Sequence, residues 1–283
     1  MSDSPELEFT GERFTPECVR EIAYEHWHRY AWAAQIATGR RVLDAACGEG
    51  YGSHVLSRHA TSVVGVDIDS KAITHARQKY RANNLTFEQA DCTRLPLADD
   101  SVDMVVSFET LEHLAEQDAL LAEFRRVLVP DGVLLLSSPD KKTYSDETGY
   151  DNPFHVRELY RDELEALLQR HFPAFRLYGQ KLMFVSAVWA VDRAGPGQWL
   201  TADAEQLHAG GQPMYPPLYF LAVAAAAHEH LPDGATLSLF GDKSESVYQH
   251  YSDEIRKHIR AGELLAERDA EIAALRARLG EAD

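Results

Sequence analysis

The chain has 283 residues, 45% hydrophobic and 26% charged, enough for one large domain or one domain with additions. A formal net charge of −17 with no dense basic run excludes a broad nucleic-acid surface, since phosphate contacts need clustered Lys and Arg. Three widely spaced cysteines, Cys18, Cys47 and Cys92, give neither a disulfide framework nor a zinc knuckle and suit a reducing compartment.

The opening stretch, "MSDSPELEFTGERF", is acidic and polar, unlike a signal peptide. The longest apolar run, 218–227, is too short to cross a bilayer as a helix, so a cytoplasmic protein with no membrane span is expected. Residues 1–38 read as a polar arm and then a helix, with Ile22, Trp27, Tyr30 and Ala34 at roughly helical spacing. A single unit of alternating strands and helices is then expected over 39–250. "RRVLDAAC" is a buried strand, 51–59 a helix, and "TSVVGVDI" a second strand ending at Asp67. Ser70 is the predicted N-cap of a helix over 71–80. "NLTFEQAD" and "VDMVVSFE" are the third and fourth strands. A helix over 117–128 is stopped by Pro130 and Gly132, and "GVLLLSSP" is the fifth strand.

Beyond these, 162–170 reads as a helix, and "FRLYGQ", "PLYFLAVAAA" and "TLSLF" read as strands. Residues 181–216, rich in Trp, Gly and Pro, are expected as a lid-like insertion over the site. Trp189, Trp199, Tyr215 and Tyr219 are its aromatic residues or neighbours. The tail, 251–283, is strongly helical, with Leu265, Ile272, Leu275 and Leu279 in a heptad pattern for about two heptads. A helix docked on its own domain is one reading; a short coiled coil joining a homodimer is the other and is favoured here. The pattern stops abruptly after Leu279, which suggests that the natural chain continues.

Apolar strands separated by helices imply a parallel sheet covered on both faces, with every strand-to-helix loop at one edge. The glycine loop "CGEGYG", Asp67, Asp91, "SFETLEH" and "SSPD" all fall at that edge. The loop does not fit a dinucleotide fingerprint, because Ser53 stands where the third glycine belongs. A phosphate loop would need a lysine, which is absent from this stretch. Asp44 before the loop and Glu49 within it suit a cationic ammonium and sulfonium better than a pyrophosphate. Asp67, about 19 residues after Gly48, ends the second strand, where an acid can accept both hydroxyls of a ribose.

These segments, "VLDAACGEGYG", "GVDID", "ADCTRLPLADDSVDMVVSFETLEHL" and "RRVLVPDGVLLLSSP", resemble the successive motifs of class I S-adenosylmethionine-dependent methyltransferases over about residues 40–140. The flanks "GERFTPE", "EHWHRYAWA" and "NPFHVRELYRDELEALLQRHF" resemble a bacterial branch met with polysaccharide and O-antigen biosynthesis. The resemblance implies an α/β, Rossmann-like fold: a seven-stranded, mostly parallel sheet with helices on both faces, a lid insertion and a C-terminal helix. It implies S-adenosyl-L-methionine as cofactor, with Asp44, Gly48 and Gly50 beside the methionine part. Asp67 would hold the ribose, Ile68 pack on the adenine, and Asp91 and Cys92 bind the adenine rim. Phe108 would sit beneath the methyl group, and Arg29 and Tyr30 would close over the methionine carboxylate. "SFET" stands where adenine- and amide-modifying branches carry N/D-P-P-[YF], which argues against DNA and glutamine acceptors.

The expected reaction is O-methylation of a sugar or glycan-type acceptor, with no metal required because the sulfonium is already a good leaving group. The alternatives are C- or N-methylation of a quinone-type or natural-product acceptor, and an inactive cofactor-binding module that tethers partners. A hydroxyl acceptor needs a base, and a histidine, with an unperturbed pKa of about 6.5, is mostly neutral near neutral pH. His155, in "NPFH", and His113, after the fourth strand, are the candidates, with His155 preferred because Asn152 and Pro153 suit a held loop. Glu109 and Glu112 read as ordinary polar positions at a strand's mouth, and Cys47 as a small buried filler.

Overall fold

Strands apolar on both faces are stable only between two layers that keep water off each face. In the computed structural model, which describes residues 15, 21–188, 190–192, 198–202, 207–210 and 215–280, that requirement is met. β1 (Arg41–Ala45), β2 (Ser62–Asp67), β3 (Leu85–Gln89), β4 (Val102–Ser107) and β5 (Leu128–Pro139) pair in parallel. On one face, α1 (Glu21–Ile36), α2 (Tyr51–Ser57) and α3 (Ser70–Lys79) bury Ala33, Leu56 and Ile73 against Val42 and Met104. On the other, α4 (Gln117–Val127) and α5 (Arg161–His171) bury Leu120, Phe124 and Leu168 against Leu43 and Leu134.

β6 (Ala174–Gln180) forms one edge of the sheet; β7 (Trp199–Ala202) and β8 (Leu207–Gly210) form a separate antiparallel pair. β9 (Tyr219–Ala225) then enters between β5 and β6, antiparallel to both, giving the order β3-β2-β1-β4-β5-β9-β6. The seven-stranded, mostly parallel sheet expected from the sequence is therefore present. Trp189 and Cys18 lie outside the described residues.

Several local expectations change. Asp69, not Ser70, caps α3: its Oδ1 accepts from Lys71 N at 2.8 Å, so the helix begins one residue early. α4 ends at Val127, and Pro130 and Gly132, expected to stop it, lie within β5, where the β4–β5 register shifts between Val102 and Met104. "TLSLF" forms no strand. Leu239 is exposed, and Phe240 instead packs its ring against Tyr24 and His28 of α1, each 5.6 Å away between centroids. Ile22 is exposed, and the face of α1 that packs on the core runs from Ala23 and Trp27.

The tail helix, α6 (Ser246–Leu279), has 34 residues, about 51 Å at 1.5 Å per residue. Ile255, Ile259, Leu265, Ile272, Leu275 and Leu279 are all exposed, and Val247 is its buried residue. Tyr251, in the next turn, meets the Phe184 ring edge-on at 5.1 Å between centroids, and from Ile255 onward the described residues of the helix are all exposed.

The tightest packing constraint is at Gly52. A Cβ built there would lie 2.1–2.6 Å from three atoms of the Tyr30 ring. Gly52→Ala therefore has to push Tyr30 off its seat between α1 and β1. Such overpacking costs about 1–3 kcal/mol, and thermal unfolding should show a clearly lowered midpoint. An unchanged midpoint would mean that the ring can shift freely.

Candidate functional site

The C-terminal ends of β1, β2, β3 and β4 open at one edge, and the turns that follow them carry the polar residues. After β1 the chain turns through Gly48 (φ 53°) and Gly50 (φ 94°), left-handed conformations that favour glycine. A Cβ on Gly50 would also press on Ala76 and the Phe87 ring at 2.8–3.0 Å. Asp67, at the end of β2, fixes this turn: its Oδ2 accepts from Gly48 N at 2.8 Å and its Oδ1 from Asp69 N at 2.9 Å. Ile68, beside it, is 69% exposed, an apolar side chain with no cover of its own.

Asp44 is fully buried at the end of β1. Its Oδ1 accepts from Tyr30 Oη at 3.0 Å and its Oδ2 from Ser53 Oγ at 2.6 Å. Burial pushes its carboxyl up to about 7, outweighing these two hydrogen bonds. Tyr30 is thus committed to Asp44, and its ring stands edge-on to Phe108, 5.2 Å between centroids. Asp91 is exposed and holds its own turn, accepting from Thr93 N and Thr93 Oγ1. Cys47 and Cys92 are buried thiols; burial pushes Cys92 up to about 12 and Cys47 well above the ordinary thiol range, so neither is a nucleophile.

Arg29 comes to this edge from α1 and is 1% exposed. Its Nε donates to Gln180 Oε1 at 2.7 Å, and its guanidinium lies 4.5 Å over the Tyr219 ring. Nη1 faces Glu109 Oε1 at 3.3 Å, yet neither Nη1 nor Nη2 has a hydrogen-bond partner among the described residues. A buried guanidinium with donors left over is receptive to an anion. Glu109 is held in a left-handed backbone conformation (φ 51°), and its Oε1 accepts from Ser137 Oγ at 2.6 Å.

The two candidate histidines meet. Their rings are 5.0 Å apart, edge to face. His155 Nδ1 pairs with Glu158 Oε1 at 2.6 Å, and Asn152 Nδ2 stands 3.0 Å from His155 Nε2. The "NPFH" loop is held as its residues suggested, with Asn152 Oδ1 accepting from Phe154 N at 3.0 Å. His113 Nδ1 is 3.0 Å from Phe154 O. The main chain staples the two segments together, because Glu112 O accepts from both Val156 N and Arg157 N, at 2.8 and 2.9 Å. Glu112 itself is 1% exposed, and burial, then the charge of Glu109, holds its carboxyl well above the usual carboxylate range.

Sequence reasoning missed Tyr144, Glu158 and the special positions of Glu109 and Glu112. Tyr144 stacks on His155 at 5.4 Å and contacts Tyr150 and Tyr219. It sits in a π-helical turn, Lys142–Asp146, that has no sequence signature. Glu158 was visible as an acid three residues after His155. Trp199 and Tyr215 contact each other at 6.4 Å, and the ring contacts around His155 come from Tyr144 and His113.

Residues 43–136 match the Methyltransferase domain family. A probable S-adenosylmethionine-dependent methyltransferase of Mycobacterium tuberculosis is 42% identical over 167 residues, 57% of this chain and 60% of that protein. A fatty-acid O-methyltransferase of Mycolicibacterium smegmatis is 31% identical over 182 residues, 63% of each chain. The chain thus spans about three fifths of the length of these curated relatives. A solved SAM-dependent methyltransferase of Thermotoga maritima, a possible histamine N-methyltransferase, shares the fold at a TM-score of 0.51 and 15% identity, over 72% of this chain and 90% of that one. Residues 43–136, about a third of the chain, are thus similar to a methyltransferase domain, and the Mycobacterium tuberculosis relative is a probable S-adenosylmethionine-dependent enzyme.

The buried Asp44 makes a test by pH. An unfolded aspartate titrates near 3.8, the folded one near 7, so the folded chain holds this proton more tightly between those values. Stability from this group is therefore fully present below about pH 4 and lost as pH rises through about 7. The melting temperature of Asp44→Asn should decline less than that of the wild type across this window. Parallel profiles would show that Asp44 is not the group that is titrating.

Proposed function

We propose that the chain transfers a methyl group from S-adenosylmethionine to a hydroxyl of a glycan or other small-molecule acceptor, with His155 accepting the hydroxyl proton. The observation that carries this reading is the His155–Glu158 contact of 2.6 Å. It holds the proton on Nδ1 and directs the Nε2 lone pair away from Glu158; Asn152 Nδ2 faces that lone pair at 3.0 Å, so the acceptor hydroxyl takes the place of this amide donor at a carboxylate-oriented general base. Tyr144 stacks on its ring and in turn contacts Tyr150 and Tyr219, a run of aromatic rings that suits the apolar face of a sugar.

In this reading the cofactor lies over the glycine loop. Gly48 and Gly50 let it approach the backbone, and Asp44 adds negative potential beneath its cationic part. Asp67 keeps a lone pair on each oxygen for the ribose hydroxyls, Ile68 covers the adenine, and Asp91 and Cys92 flank its rim. Phe108 supports the methyl end, while Arg29 offers its spare donors to the methionine carboxylate, with Tyr30 bracing the wall. S-adenosylmethionine supplies an electrophilic methyl on a sulfonium. That methyl would pass to the acceptor oxygen as the sulfonium leaves as a thioether, and His155 Nε2 would accept the hydroxyl proton.

A second reading is favoured by the fatty-acid O-methyltransferase relative: a carboxylate acceptor, which is already anionic and needs no base. Two variants separate these ideas. Asp67→Ala removes two charge-assisted hydrogen bonds of roughly 1.5–3 kcal/mol each, so S-adenosylhomocysteine should bind at least tenfold weaker by calorimetry. His155→Ala should leave that affinity nearly unchanged while lowering turnover of a hydroxyl acceptor by roughly 10²–10⁴-fold. Full turnover in His155→Ala would favour the carboxylate reading; unchanged affinity in Asp67→Ala would remove the cofactor assignment.

The polysaccharide setting and cytoplasmic location are part of the same proposal. The exposed apolar stripe of α6 is the proposed seam of a parallel homodimer. In the 7-3-4 spacing of Leu265, Ile272, Leu275 and Leu279, Glu271 and Arg276 fall at facing flank positions of opposite charge. Deleting residues from Glu263 onward should halve the mass seen by light scattering and leave cofactor binding unchanged. A monomer before and after deletion would remove the seam.

A further inference from the structure

We propose that Glu112, His113 and His155 form a site for a divalent transition-metal ion of the Zn²⁺ type, and that a cation bound there blocks His155 as a base. The second part rests on the reading of His155 given above; the first does not. It departs from the sequence reading, which found no metal-ligating set.

One ligand-type atom from each of the three residues lies within 4.8 Å of those of the other two. A cation with bonds of about 2.0–2.2 Å would hold such atoms about 3–4 Å apart, so inward shifts of less than about 1 Å close the set. The frame is rigid where it counts, because Glu112 O takes both Val156 N and Arg157 N and ties the His113 turn to the His155 loop.

The protonation pattern points the same way. The Phe154 carbonyl can only accept, so the 3.0 Å contact fixes the proton of a neutral His113 on Nδ1. That leaves the Nε2 lone pair 4.0 Å from Glu112 Oε1, with no hydrogen bond between them. His155 Nδ1 is likewise occupied by Glu158. A backbone carbonyl and a carboxylate behind the two rings are the partners that metal-bound imidazoles use to orient and enrich their lone pairs.

Glu112 is the independent observation. Both of its carboxylate oxygens are buried without a hydrogen-bond partner among the described residues. Such a group is costly unless a proton or a cation sits against it. Two imidazoles and one carboxylate favour Zn²⁺ or a similar borderline ion over Mg²⁺ or Ca²⁺, which prefer all-oxygen sets. Asn152 Nδ2, 3.0 Å from His155 Nε2, is the neutral donor that the ion would displace. An imidazole whose lone pair is on a cation cannot take a proton, so bound ion and base catalysis exclude each other at His155.

The test uses the full chain freed of metal. Calorimetric titration with Zn²⁺ should show one stoichiometric site, weakened at least tenfold in both Glu112→Gln and His113→Ala. Methyl transfer should fall as that site fills and return on adding a chelator. Absence of stoichiometric binding, or binding that neither variant weakens (an ion held by other histidines), would overturn the site. Binding with unchanged or raised turnover would overturn the competition. If no acceptor is ever methylated, the activity reading fails while the calorimetry still decides the site.

Discussion

A carboxylate buried in the centre of the sheet is the constraint around which this edge of the molecule is organised. Asp44 has no exposure, and its strand is paired on both sides, so it cannot reach water by any small movement. It is tolerated because three elements converge on it. Tyr30 reaches it from α1 and Ser53 from α2, while Gly52 removes the Cβ that would keep the Tyr30 ring away. Removing water from the carboxylate costs free energy that the two hydrogen bonds offset only in part, and its raised pKa measures the remainder. Such a cost, kept at a strand's mouth, is more consistent with a binding role than with stability.

The charges around this point are arranged in two signs. Asp44 and Asp67 lie under the glycine loop, and Arg29, with donors to spare, stands behind the loop on α1. A ligand that carries both a cationic centre and a carboxylate would match both. That pairing also explains why a chain of net charge −17 buries an arginine: Glu109 compensates part of its charge, and Tyr219 covers the face of the guanidinium. Burial alone would lower the arginine's pKa, but these neighbours keep it raised and the group charged.

What was legible in the sequence is what depends on short range and on periodicity. β1 to β5 could be read because each is a continuous apolar run, and their turns carry the acids that the parallel crossover places at one edge. The C-terminal third was harder. "TLSLF" looks like a strand, yet Phe240 finds a better apolar contact on α1 than the sheet edge offers. Glu109 and Glu112 passed as surface acids, because nothing local signals that Val156 and Arg157, more than forty residues on, close over the turn that carries them. Glu158 needed only the i+3 spacing from His155, but that spacing acquires meaning only once the loop is folded. Tyr144 could not have been found, since a π-helical turn has no compositional mark.

Both histidines are carried by loop-like segments, which are ordinarily poor supports for groups that must be placed within a fraction of an ångström. Here the backbone supplies the precision. Glu112 O binds two successive N–H groups of the partner segment, and Gln117 Nε2 donates to both Leu111 O and Arg157 O, at 2.9 Å each. The two turns therefore behave as one unit whose geometry does not depend on the imidazoles it presents. The same rigidity is consistent with Glu112 remaining buried without a hydrogen-bond donor among the described residues. Its main chain is pinned on the inside, so the side chain cannot swing to solvent without breaking the staple. A carboxylate trapped in this way, next to two imidazole rings, is attractive to either a proton or a metal ion. The choice between these occupants then sets whether the neighbouring imidazole is free to act.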